Sequence, residues 1–417
     1  MAEYVINGGR RLNGCIEIQG AKNSALPILA AAVLCREEVI LHNCPIISDT
    51  DTCIKILRYL GCSVYRDGHT VSVDSRNMYR YDIPAELMRE MRSSIVFMGA
   101  ILGRMKKAEV SLPGGCELGP RPIDLHISSL ARMGAEFEEG HGTISCSTEK
   151  GIHSSEINLA FPSVGATENI ILAAVCSDST VTVTNAAKEP EICDLAEFLN
   201  KCGARIIGAG EGTLYIEGVK SLSGTQHIII PDRIAAVTYM SALSVCGGRL
   251  LLKGISPLCL RGTANAFEQS GMLADYDKEG LHISADGVPE RVRLVRTMPY
   301  PGFPTDAQAP VMAMSCFARG TSVFVENIFE SRYRHVSELC RMGANIYVQG
   351  KVAVVEGSRD ISGATVEAKD LRGGAALVVA GLGAGGRTLV KNINYIERGY
   401  EALVENIGNV GADIIKM

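Results

Sequence analysis

The chain has no long apolar run. Its most hydrophobic windows, Ala25 to Leu34 and Ala375 to Leu382, reach roughly ten residues before charge or glycine interrupts them, against the ~20 a membrane helix needs. It also has no excess of one charge: 41 Lys and Arg stand against 46 Asp and Glu, a formal net charge of -5. That balance excludes the basic footprint of a nucleic-acid binder, so neither a polynucleotide nor a membrane is an expected partner. Met1 to Gly9 carry no basic stretch followed by an apolar segment and a cleavage site. No secretory signal is read, and a cytoplasmic location is expected. The 14 cysteines include no Cys-x-x-Cys pair. Even the regular set Cys35, Cys44, Cys53 and Cys62 lacks the ligand spacing of structural zinc. Free thiols in a reducing compartment are expected, most of them small core residues, and no metal.

What the chain does have is length and repetition. Its 417 residues, 47% of them hydrophobic, exceed the size at which one core stops growing, so two domains are expected. Four segments share one plan: Leu57 to Val64, Leu130 to Phe137, Leu199 to Ile206 and Leu339 to Ile346. Gln269 to Ala274 and Asn409 to Ile414 are weaker copies. Their glycines, Gly61, Gly134, Gly203, Gly271, Gly343 and Gly411, lie roughly 70 residues apart. In each copy an apolar stripe at helical spacing, such as Ile127, Leu130 and Met133, ends at a glycine suited to a left-handed C-cap. Alternating stretches such as Ser63 to Tyr65 and Thr70 to Val73, separated by Asp67-Gly68, then read as a hairpin. One such unit cannot bury its helix stripe alone, so six copies divide into two domains of three. The cut falls near Gln226 to Asp232. Met1 to about Gly20 precede the first unit and could complete the second domain, although spacing does not assign them.

Several motifs could carry chemistry. Leu112 to Pro122 holds three glycines and three prolines around Cys116, so it must be loop. A cysteine there, with Arg121 and His126 close in sequence, has the surroundings of a reactive thiol; a surface loop with an incidental cysteine is the plain alternative. Lys22 and Asn23 stand just before an apolar helix, where a lysine opposes the helix dipole. That suggests an anion shared with the free backbone amides, against a simple solvated lysine. Arg92, Arg332, Arg372 and Arg398 flank turns; each alone reads as surface charge, but gathered with Lys22 and Arg121 they would hold phosphate and carboxylate groups. Asp306 follows a proline-rich turn and reads first as a helix N-terminal carboxylate. Gly381 to Gly386 fits the dinucleotide fingerprint by letter, yet it follows an alanine-rich helix and opens a strand, the inverse of the required context.

Together, Gly20 to Pro27, Leu112 to Cys116, Arg121 to His126, Pro162 to Thr167, Ala187 to Glu191, Pro304 to Asp306 and Glu397 to Tyr400 resemble the UDP-N-acetylglucosamine 1-carboxyvinyltransferases, a family of enolpyruvyl transferases. The likeness runs through essentially the whole chain in order. It implies an α/β chain (α+β in some schemes) with the two-domain enolpyruvyl transferase fold, three βαβαββ units per domain, an inside-out α/β barrel. The first domain would span 22–229 and the second 1–21 plus 230–417, with the active site in the cleft between them.

The resemblance also implies roles. Lys22, Asn23, Arg121 and Arg398 would hold phosphoenolpyruvate. Arg92, Arg121, Pro122, Ile123, Asp124, Leu125, Ser163, Val164, Gly165, Asp306 and Ile328 would hold UDP-N-acetylglucosamine. Cys116 would be the proton donor, open to covalent attachment by phosphoenolpyruvate or by the epoxide fosfomycin, and Asp306 the base on the sugar 3-hydroxyl. Arg332, Asp370 and Arg372 would complete the site. No metal or organic cofactor is implied. The reaction would be the first committed step of peptidoglycan synthesis. Phe161-Pro162 and Ser48 stand where some relatives carry lysine, a local departure that touches none of the chemical residues. Two rivals remain: the sister enzyme acting on shikimate 3-phosphate, against which the Cys116 loop speaks, and a silent nucleotide-sugar-binding regulator, against which Lys22, Cys116, Asp306 and Arg398 speak. Oligomeric state is not readable, and a monomer is the simplest expectation.

Overall fold

The computed structural model describes residues 2–111, 123–140 and 142–417. They form two compact units, one built from 20–111 and 123–230, the other from 2–19 and 231–417. The described residues contain six four-stranded sheets, three in each unit. All six follow one pairing plan: a parallel edge pair, then two antiparallel pairings. In the first of them, 226–228 runs parallel to Val39–His42, which pairs antiparallel with Thr70–Asp74, and that strand closes a hairpin with Ser63–Asp67. The hairpin turns at Gly68, φ +53°, as its Asp-Gly step predicts.

The six repeat glycines all adopt the left-handed backbone, with φ between +84° at Gly271 and +109° at Gly411. This is the conformation a helix needs at its C′ position to turn into a strand without a Cβ clash. The N-terminal segment completes the unit at the far end of the chain: Tyr4–Asn7 lies between Arg387–Lys391 and Asp413–Lys416. Leu12–Glu17 supplies the parallel edge beside Gly248–Lys253.

Helices come in two kinds. Outer helices such as Ser48–Tyr59 and Pro190–Lys201 bury one face. Inner helices are buried almost all round: Lys22–Ala31, Val96–Met105 and Val164–Ala174 in one unit, Arg233–Cys246, Thr305–Ser315 and Leu371–Gly383 in the other. A helix apolar on every side has to sit inside the core. Small residues let these helices approach closely. A Cβ on Gly99 would stand 2.5 Å from the Asn169 carbonyl oxygen of the neighbouring helix, so only glycine fits. Gly381 to Gly386 runs from the last turn of Leu371–Gly383 into strand Arg387–Lys391, the reverse of a dinucleotide loop. All described cysteines are free thiols. Among the described residues no helix is long and apolar enough to cross a membrane.

Candidate active site

In the unit containing 231–417, four residues singled out from the sequence come together at the starts of two inner helices. Asp306 occupies the first turn of Thr305–Ser315. Its Oδ1 accepts from Arg332 Nη2 at 3.0 Å, and its Oδ2 accepts from Arg372 Nε and Nη2 at 3.3 Å each. Arg332 and Arg372 are 3% and 2% exposed, whereas the Asp306 side chain is 28% exposed. The guanidiniums therefore lie behind the carboxylate and present it outward, which corrects their reading as surface charge.

Arg372 also stacks over the Tyr400 ring at 5.2 Å, and the Tyr400 hydroxyl meets Thr238 Oγ1 at 2.8 Å. Burial works against the Arg372 charge, but Tyr400, Asp306 and Asp232 outweigh it and push its pKa up. Asp370 caps Leu371–Gly383: its Oδ1 accepts from the Arg372 and Gly373 amides at 3.0 and 2.8 Å. This is the ordinary work of an N-cap aspartate.

Around this cluster several buried polar atoms have no hydrogen-bond partner among the described residues: Arg332 Nε, Arg372 Nη1, Asp370 Oδ2 and both ring nitrogens of His335. Orphaned buried groups are rare in folded proteins, and a concentration of them calls for an explanation. His335 had not stood out in the sequence. Burial draws its pKa down to about 4, with Asp370 opposing and the Arg332 charge adding to the fall.

Ile328 lies in a turn organised by Glu326, another residue the sequence did not flag. Glu326 Oε1 accepts from the Ile328 and Phe329 amides at 2.8 and 3.1 Å, and its Oε2 accepts from Thr305 Oγ1 at 3.1 Å. One carboxylate thus ties the Ile328 turn to the residue before Asp306. Arg398, half-buried, follows the 3-10 turn Ile393–Tyr395. The next residue, Gly399, packs so closely on Leu371 that a Cβ there would lie 2.7 Å from Leu371 Cδ2.

In the other unit Lys22 and Asn23 are the first two residues of Lys22–Ala31 rather than residues just before it, and no acidic residue occupies its first turn. Lys22 is only 8% exposed and lies 2.6 Å from Asp49 Oδ2, so it is not a solvated lysine. Asp49 was missed. The signal for it was the pair of aspartates in the first turn of Ser48–Tyr59, which read as ordinary dipole partners.

Ser163 caps Val164–Ala174, its Oγ accepting from the Ala166 amide at 3.3 Å. Val164 and Gly165 follow as the first helical residues. Thr167 bridges this helix to the Ala187 to Glu191 motif by donating to the Ser163 carbonyl and accepting from the Ala187 amide. Glu168 is buried there, and burial, then Glu191 and Glu189, hold its pKa well above the usual carboxylate range.

Ile123, Asp124 and Leu125 stand at the start of Asp124–Arg132, with Asp124 exposed. His126 points inward: its Nδ1 accepts from Asn169 Nδ2 at 2.8 Å, and a Cβ on Gly165 would lie 3.0 Å from its ring. This links the Asp124 segment to the Ser163 segment. Burial draws the His126 pKa down to about 4, so His126 contributes no positive charge near neutrality. Cys116, Arg121 and Pro122 lie outside the described residues. Arg92 opens the 3-10 turn Arg92–Ile95.

Comparison with known proteins bears on this arrangement. Residues 6–407 match the family model for EPSP synthase (3-phosphoshikimate 1-carboxyvinyltransferase). The chain is 48% identical to UDP-N-acetylglucosamine 1-carboxyvinyltransferase 2 of Caldanaerobacter subterraneus subsp. tengcongensis, over 100% of both chains. It is 44% identical to UDP-N-acetylglucosamine 1-carboxyvinyltransferase 1 of Symbiobacterium thermophilum, over 99% of this chain and 95% of that one. Among solved structures, the enolpyruvyl transferase NikO from Streptomyces tendae superposes with a TM-score of 0.90 at 25% identity, covering 100% of this chain and 99% of the other. EPSP synthase from Acinetobacter baumannii shares the fold, with a TM-score of 0.75 at 16% identity over the full length of both chains.

Proposed function

The chain belongs to the UDP-N-acetylglucosamine 1-carboxyvinyltransferase family, and from that premise we propose that it transfers the enolpyruvyl group of phosphoenolpyruvate to the 3-hydroxyl of UDP-N-acetylglucosamine with release of phosphate, opening peptidoglycan synthesis. The observation that carries this reading is the full-length identity of 48% to a relative bearing that name. The shikimate branch shares the fold at much lower identity. Phosphoenolpyruvate is a glycolytic intermediate of the cytoplasm, which is the compartment the reading assigns.

The chemistry is an addition followed by an elimination. The sugar oxygen bonds to C2 of phosphoenolpyruvate as its proton passes to Asp306, while C3 gains a proton from Cys116. The resulting tetrahedral ketal returns a C3 proton to the Cys116 thiolate and breaks the C2 bond to the phosphate oxygen, leaving an enol ether and free phosphate. Asp306 suits the role of base because it is held at a fixed angle by two buried guanidiniums and is still presented outward. Arg332 and Arg372 offset the negative charge that gathers as the hydroxyl is deprotonated. Lys22, Asn23, Arg121 and Arg398 hold the phosphate and carboxylate of phosphoenolpyruvate. The capped start of Val164–Ala174 offers backbone amides to the diphosphate of the nucleotide. The reading requires the Lys22 and Asp306 groups to serve one substrate pair.

The test is phosphate release from phosphoenolpyruvate with either UDP-N-acetylglucosamine or shikimate 3-phosphate as acceptor. Release with the nucleotide sugar alone, lost in Cys116→Ala and Asp306→Ala, is expected; release with shikimate 3-phosphate alone would transfer the chain to the sister branch, and release with neither would leave a binding protein. Incubation with fosfomycin should raise the intact mass by one adduct in the wild type and not in Cys116→Ala.

A further inference from the structure

The Lys22 end of the site depends on a carboxylate that never faces it. Lys22–Ala31 begins without help of its own, because Ala21 at the N-cap offers no capping side chain. Its start is pinned from outside at two points. Behind Lys22 and Asn23, the Ala21 amide donates to the Ile230 carbonyl at 2.7 Å. Ahead of them, Ser24 Oγ donates to Asp194 Oδ2. The same oxygen accepts from the Ile230 amide at 3.3 Å. Both flanks of the Lys22-Asn23 pair therefore converge on Asp194, one through the serine hydroxyl and one through the Ile230 peptide.

Asp194 lies on Pro190–Lys201 and is 3% exposed. Its other oxygen takes His227 Nε2 at 2.8 Å, and His227, 2% exposed, has its Nδ1 3.3 Å from Lys201 Nζ. An ammonium has only hydrogens to give, so Nδ1 accepts and Nε2 is left to donate to Asp194. Phe198 closes the other side of the imidazole edge-on, centroids 5.6 Å apart. Asn43 Nδ2 holds the neighbouring Ile229 carbonyl at 2.9 Å.

Burying a carboxylate with this many partners is a poor way to gain stability, because well-packed apolar residues serve at least as well. What such a group does supply is direction: three donors meeting one rigid acceptor set where each of their chains lies. We propose that Asp194 is a positioning residue for phosphoenolpyruvate, holding Lys22 and Asn23 in place through Ser24 and Ile230. The inference rests on the assignment of Lys22 and Asn23 to phosphoenolpyruvate.

The experiment is steady-state phosphate release by the full chain carrying Ser24→Ala, Asp194→Asn or Lys22→Ala, with KM for each substrate, kcat and Tm measured for all three. Ser24→Ala removes one hydroxyl from a small buried residue and leaves Asp194 and His227 paired, so it remains informative if Asp194→Asn folds poorly. The expected result is a KM for phosphoenolpyruvate raised roughly three- to tenfold in Ser24→Ala, with KM for UDP-N-acetylglucosamine unchanged and Tm close to that of the wild type. A purely structural network predicts a lower Tm with both KM values unmoved, or both moved together, and that result overturns the proposal. Lys22→Ala separates the two layers. If it raises KM for phosphoenolpyruvate and Ser24→Ala does not, the positioning role is wrong and the site assignment stands; if Lys22→Ala leaves that KM unchanged, the assignment itself fails and takes the inference with it.

Discussion

In one unit a lysine at a helix start meets a buried carboxylate, Lys22 with Asp49 at 2.6 Å. In the other a carboxylate at a helix start is matched by two buried guanidiniums, Asp306 between Arg332 and Arg372. Exposure differs as well. Lys22 and Asp49 are 8% and 2% exposed, so their separation would leave a charge in the core, while Asp306 at 28% can be altered near solvent. A change at the Asp306 group should therefore fall on turnover, and a change at the Lys22 group on folding as well as on substrate.

The largest effect expected from this contrast is Asp306→Asn. It keeps the shape and removes the proposed base, and phosphate release should fall by about 10²- to 10⁴-fold. A fall in Tm without that loss of rate would place Asp306 among structural residues. Next is Asp49→Ala, which removes the carboxylate 2.6 Å from the Lys22 ammonium. Breaking a buried pair costs about 3–5 kcal/mol, and denaturant unfolding at neutral pH should show it; an unchanged midpoint would mean that the ammonium is held without Asp49.

The smallest effect lies in acid, and each unit contributes one residue to it. His126 and His335 both have pKa values drawn down to about 4, against about 6.5 in an unfolded chain. Between those values the unfolded chain binds more protons than the folded one, so stability is full above about pH 6.5 and is lost as pH falls toward 4. Glu168, whose carboxyl is held well above its usual range, contributes with the opposite sign over the same window, so the histidine contribution is read as a difference: between pH 7 and 5 the unfolding midpoint should fall further in the wild type than in His126→Gln. Equal slopes in the two proteins would contradict the burial of the His126 ring.

Much of the architecture was legible because it is local and repeated. Gly61, Gly134, Gly203, Gly271, Gly343 and Gly411 mark helix ends by a backbone need that no other residue meets as cheaply, and all six adopt it. The Asp67-Gly68 hairpin was legible for the same reason. The site was legible only in part. Lys22, Asp306, Arg332, Arg372 and Asp370 could be named, but the burial of Arg332 and Arg372 could not, since nothing in the residues around an arginine says what packs over it. Glu326, His335 and Asp194 gave no signal at all, and the signal of Asp49 read as an ordinary helix-dipole partner. Each looks like an ordinary helix or turn residue until its distant partner is known: Asp194 meets Ser24 across 170 positions, and Arg372 meets Asp306 across 66.

From the sequence by itself came the repeat, the helix-to-strand turns, the absence of a membrane-length run and the motifs of the family, all properties that a few neighbouring residues carry. The tertiary structure alone decided which charges are buried, which carboxylate holds which cation, and which polar atoms are left without a partner. Electrostatics in a protein depends on solvent exposure and on separations of a few ångströms, and neither quantity exists until segments far apart in the chain have packed together.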